Sequence, residues 1–183
     1  PSNQPEEWIW QAIHDSLSAQ DQSPAVFAII GARLHPVLYL FAENIRKSPN
    51  LLMPPDNHSC RDAFVLAQVR YGNSLGALLN ILPEFPSAAL ECLEELNSKQ
   101  ITEREHQIGD FGGRLGTHFA FYYWNSSFAS TDVAESTMER YFEIADKSQR
   151  AKAISDISRI FSNEKPREDH NSMYQLVMEL LEK

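Results

Sequence analysis

The residues best suited to chemistry by type and spacing lie between Gly109 and Trp124. Four of the seven glycines in the chain (Gly109, Gly112, Gly113, Gly116) open this stretch, and Phe119, Phe121, Tyr122, Tyr123 and Trp124 close it. Such a run suits a phosphate-cradling loop, a ligand platform or a tightly packed helix. A P-loop needs a lysine and a hydroxyl after its glycines, to serve the phosphates and magnesium. Here Arg114-Leu115-Gly116-Thr117 follows and no lysine is present. The dinucleotide fingerprint needs Gly-x-Gly-x-x-Gly after a strand, and neither is found. Asp110-Phe111-Gly112 spells the magnesium tripeptide of protein kinases, but the catalytic loop and strand lysine that tripeptide works with are missing.

Helical packing accounts for the spacing better. Gly109, Gly113 and Gly116 are four and three residues apart, which puts them on one helix face. A glycine face admits a neighbouring helix closely, although each glycine costs about 1 kcal/mol of helix stability relative to Ala. Leu115, His118, Phe119, Tyr122 and Tyr123 recur at helical spacing, while Phe121 and Trp124 point elsewhere. A helix aromatic most of the way round is central and buried. Within this picture the residues that remain candidates for ligand or partner binding are Arg114, His118, Tyr123 and Trp124. Arg33 joins them, because a guanidinium beside an apolar helix face needs a carboxylate or an anionic ligand if it is buried.

Other constellations are weaker. Glu103-x-x-His106 has the spacing of one di-iron ligand pair, but the second pair is missing, since Arg167 stands three residues before His170. His58-Ser59-Cys60 brings a thiol near an imidazole in sequence only, and catalytic pairs are made by spatial geometry. Cys60 and Cys92 have no further cysteines around them, which leaves neither a disulfide framework nor a Cys-rich zinc site. The expectation is reduced thiols, no metal and no cofactor.

Helices must position these residues. Pro5 with Glu6 and Glu7 opens a first helix marked by Trp8, Ile9, Ala12 and Ile13. Ser23-Pro24 is an N-cap followed by proline at the first helical position. The apolar face from Val26 to Ile45 that follows contains Pro36, which predicts a kink or two helices there. Ser48–Ser59 reads as a loop, then come helices near Cys60–Tyr71 and Asn73–Leu82, and one opened by Ser87. Thr102 and Glu105 form a capping box for the helix that enters the glycine segment. Asp132/Glu135 caps another, Ala151–Phe161 lies in the next, and Met173–Leu181 is an apolar stripe near the end. No alternating strand pattern appears. The expected fold is all-α, an irregular helical bundle or a HEAT-like α-solenoid of about eight helices. It spans residues 1–183 as a single helical domain, read as a fragment of a longer protein.

The net charge is −9, which disfavours the clustered-cation binding that nucleic acids require. The longest apolar run, Ala25–Ala42, is interrupted by Arg33, His35 and Pro36, and a membrane-spanning helix needs about 20 predominantly apolar residues. A cytoplasmic protein without a membrane segment is expected.

Phe119-Ala-Phe-Tyr-Tyr-Trp124, Met138-x-x-Tyr-Phe-x-x-Ala145 and Arg150-Ala-x-x-Ile-x-x-Ile157 together resemble helical C-terminal regions of large bacterial multidomain proteins. Some of those carry sirtuin-like or nucleotide-hydrolysing domains upstream. The resemblance covers residues 117–161 and implies a non-catalytic helical-repeat appendage for sensing or assembly. It carries over no catalytic residue. The function expected is a protein-interaction or scaffold module whose partners are other proteins or other domains of the same chain. The alternative is a small-molecule-binding or enzymatic helical domain with a pocket near Arg114 and the 118–124 aromatics. A homo-oligomer paired through residues 173–181 is the third reading.

Overall fold

The computed structural model describes residues 5–73, 78–98, 105–125 and 127–163. Among these every regular element is helical and no strand occurs, as the periodicity predicts. The chain divides into two compact units, Pro1–Asn73 and Ser74–Lys183.

The first unit contains α1 (Pro5–Ser18), α2 (Pro24–Ala32), α3 (Leu34–Lys47), a 3-10 turn (Pro49–Leu51) and α4 (His58–Tyr71). Ser23 is the extended N-cap residue of α2 with Pro24 behind it, but its side chain makes no capping bond. The apolar stretch does break into two helices, and the break falls at Arg33 rather than at Pro36, bending the chain by 99°. Pro36 sits in the first turn of α3, where a missing N–H costs no intrahelical bond. A second irregularity lies at Phe41, whose backbone leaves helical geometry inside α3. The expected loop 48–59 carries the 3-10 turn and buries Leu52 and Met53. Asn57 then caps α4 by accepting the Cys60 N–H, and its own amide donates to Gln22 across the unit at 3.0 Å.

α2 crosses α4 closely at Gly31. A Cβ there would meet the carbonyl carbon of Phe64 at 3.1 Å and its Cα at 3.2 Å. Phe27, Leu34, Ile45, Phe64, Val65 and Val69 fill the core around that crossing.

The second unit contains α5 (Leu78–Ile81), α6 (Phe85–Ser98), α7 (Glu105–Trp124), α8 (Thr131–Ile144) and α9 (Lys147–Asn163). α6 begins at Phe85, two residues before the expected Ser87, with Pro86 tolerated in its first turn. α8 is capped by Ser130, which accepts the Val133 N–H; Asp132 stands inside the first turn instead, where its charge complements the helix dipole. The Thr102 capping residue, the Glu103 and His106 side chains, and the stripe Met173–Leu181 lie outside the described residues. The oligomer reading rests on that stripe.

Asp146 and Gln149 form a capping box at the start of α9. The Gln149 N–H donates to Asp146 Oδ1 at 2.8 Å, and the Asp146 N–H donates to Gln149 Oε1 at 2.9 Å. The same Gln149 amide pairs reciprocally with Asn97 of α6, at 2.9 and 3.2 Å. Asn97 also donates to the Ile144 carbonyl at 2.8 Å. The Asn97–Gln149 pair therefore ties together the ends of α6, α8 and α9.

Candidate functional site

The glycine segment is helical throughout as the central part of α7, and three of its glycines are contact points. A Cβ on Gly112 would meet Gln149 Cγ at 2.6 Å, and one on Gly113 would meet Lys152 Cβ at 2.8 Å. One on Gly116 would meet Ala153 Cβ at 2.6 Å and the Tyr141 ring as closely. The glycines thus let α9 lie close against α7, through side-chain stems and a methyl group rather than backbone. Gly112 takes part as well as the expected Gly113 and Gly116.

The aromatics behind them build the core of this unit. Phe119 meets Tyr141 edge-to-face at 6.2 Å, and Tyr122 meets Phe128 in the same manner at 6.3 Å. Tyr141 is fully buried, and its hydroxyl donates to the Gly112 carbonyl at 2.9 Å. Burial, with the nearby Asp146 carboxylate, raises its pKa far above the phenol range.

The five sequence candidates are divided between the two units, Arg33 in the first and the other four on α7 in the second. Arg33 is exposed at the corner between α2 and α3. Arg114 is exposed on α7. His118, one turn further on, is buried, and its Nδ1 meets no hydrogen-bond partner. Burial, reinforced by the Arg114 charge, lowers the His118 pKa to about 4, so the imidazole is neutral near pH 7. It packs edge-on against Tyr122 at 6.1 Å. Tyr123 is half-buried, and five residues along a helix of 3.6 per turn carry it away from the Arg114–His118 face. The Trp124 side chain lies outside the described residues. α7 thus places Arg114 and His118 one turn apart on the same face.

The sequence-adjacent thiol and imidazole also separate. His58 is exposed in the first turn of α4, whereas Cys60 is buried and its thiol is pushed up by desolvation. Neither Cys60 nor Cys92 is part of a disulfide. Among the described residues no three His, Cys, Asp or Glu side chains gather as a metal site, and no single helix is long and apolar enough to cross a membrane.

The feature that sequence reasoning missed lies in the first unit. Trp10 of α1 packs on Phe41 at 5.5 Å and Leu17 is fully buried, which fixes one side of α1 to the core. A second apolar side, Trp8, Ile9, Ala12 and Ile13 with Ser16, then faces Val26 and Ile30 of α2 across an open groove of about 320 Å³. That volume is near the lower end of the ~300–1,000 Å³ typical of ligand clefts. Trp8 on the lip is 64% exposed, as is Ile29 beside Ile30. The signal was present in the sequence: α1 carries more apolar residues than one buried stripe requires.

Comparison with protein-family models, curated proteins and solved structures finds no match to this chain.

Proposed function

We propose that the chain is a non-catalytic helical interaction module and that the α1–α2 groove is its docking surface. The observation that carries this reading is an apolar groove whose lip holds an exposed Trp8 while the other side of α1 is packed on the core. Apolar side chains of α1 and α2 facing each other, with the small residues Ala12 and Ser16 on α1, suit the apolar face of a third helix. Exposed tryptophans are the residue type most enriched among binding hot spots.

A HEAT-like arrangement belongs to this reading. In the second unit α6 contacts both α7 and α8, and α7 contacts both α8 and α9. These next and next-but-one contacts of α6 and α7 resemble the connectivity of stacked helix pairs, although α8 and α9 do not pack comparably on each other. A role as the assembly appendage of a larger bacterial protein, in the cytoplasm, agrees with that connectivity and with cysteines that form no disulfide. The alternative pocket near Arg114 has less support, because His118 is packed inside the core as a neutral ring.

The test is selection of helical peptides that bind the chain, followed by affinity measurement on variants. Trp8→Ala is expected to weaken the selected peptides by at least about 30-fold, the scale of a hot-spot residue, with unchanged helicity. Peptides indifferent to both Trp8→Ala and Ile30→Glu would refute the docking surface.

A further inference from the structure

We infer that the occupant of the groove is an amphipathic helix of a protein partner with basic residues along one flank of its apolar face. This rests on the docking reading above. The segment from Glu7 to Ile30, which holds every residue lining the groove, contains no lysine or arginine and three carboxylates, Glu7, Asp15 and Asp21. The first cation along the chain is Arg33, at the corner beyond the end of α2. The walls thus carry charge of one sign, and a groove with such walls concentrates ligands of the opposite sign.

The charge is also placed. Trp8 and Asp15 stand seven residues apart, two helical turns, and so lie on the same side of α1 about 10 Å apart along its axis. Both are exposed; Asp15 Oδ1 accepts from Gln11, which stands between them, at 2.7 Å and lies 3.7 Å from His14 Nδ1. An indole face attracts cations, and a carboxylate pairs with them. Two basic side chains seven residues apart on a partner helix match this spacing, one over Trp8 and one at Asp15. The apolar side chains of that helix fill the groove against Ile13, Val26 and Ile30.

Three synthetic helical peptides test the inference. They share one apolar face and differ at two flank positions seven residues apart, which hold Arg, Gln or Glu. Fluorescence anisotropy with the full chain is expected to show the Arg peptide binding at least about tenfold tighter than the Gln peptide at low salt. The Glu peptide binds weakest, and the gaps shrink at high salt as screening increases. Asp15→Asn is expected to reduce the Arg preference about threefold or more while leaving the Gln peptide unchanged. Equal affinities for the three, or a preference for Glu, overturn the basic-flank inference and leave the docking surface standing. Failure of all three to bind overturns both readings. Light scattering that shows a dimer dispersed by Ile30→Glu assigns the groove to a second copy and overturns the inference as well.

Discussion

Gly31 of α2 lies against the carbonyl group of Phe64 in α4, with no room for a side chain between the two backbones. Phe27, one turn earlier on α2, is fully buried. In an exposed helix, alanine in place of glycine would add about 1 kcal/mol of stability. At this crossing the added methyl meets backbone that cannot rotate aside, so α2 must move away from the core. Gly31→Ala is expected to destabilise the chain by about 2 kcal/mol, within the usual range for overpacking. Denaturant titration checks it, and a raised midpoint would mean that the helices have room to separate.

The same logic applies at Gly116, where Ala153 and the Tyr141 ring occupy the space a methyl would need. Gly116→Ala is expected to lower stability by about 1–3 kcal/mol. Reducing Ala153 to glycine in the same chain should recover part of that loss, since it removes one of the two obstructions. No recovery would place the whole obstruction at Tyr141.

The Asn97–Gln149 amide pair makes a separate prediction. Gln149→Ala removes the partner of the Asp146 N–H and the donor to Asn97 Oδ1, leaving Asn97 its bond to the Ile144 carbonyl, so a loss of about 2 kcal/mol is expected. Because each residue is the partner of the other, Asn97→Ala and Gln149→Ala should not add. A double-mutant cycle is expected to give a coupling of about 1 kcal/mol or more. Simple additivity would show that the two amides are solvated independently.

His118 predicts a pH dependence of stability. Its folded pKa of about 4 lies below its ordinary 6.5, so between those values the unfolded chain takes up a proton that the folded chain refuses. Stability is therefore complete above about pH 6.5 and falls as the pH drops toward 4. The expected loss attributable to this residue is about 2 kcal/mol between pH 7 and pH 5. Urea titrations of the wild type and His118→Gln should converge as the pH is lowered, and parallel curves would mean that the imidazole is hydrated.

Much of this architecture is legible in the sequence because helices announce themselves by period. The stripe Leu115, Phe119, Tyr122 and the glycines beside it place α7 at the centre of its unit, and the contacts with Gln149, Lys152 and Ala153 bear out the packing reading. Gly31 was not legible, because a lone glycine in an apolar helix has no spacing partner to mark the crossing. The capping box of Asp146 and Gln149 follows a sequence rule and was available, whereas the pairing of Gln149 with Asn97, 52 residues away, is a tertiary fact. The groove shows the main limit of periodicity. Trp8, Ile9, Ala12 and Ile13 form a regular apolar stripe, and a stripe reveals which residues share a face but not whether anything covers it. Here Trp10 and Leu17 took the core-facing side, and the more regular stripe was left open.

The most direct test of the docking surface is a methyl NMR titration of the full chain with the Arg-flanked helical peptide. The largest shift changes are expected at Ile9, Ile13, Val26 and Ile30, with the Trp8 indole N–H moving in step at the same peptide concentration. Changes concentrated instead around Leu115 and His118 of α7, with the α1 and α2 methyls unmoved, would contradict it.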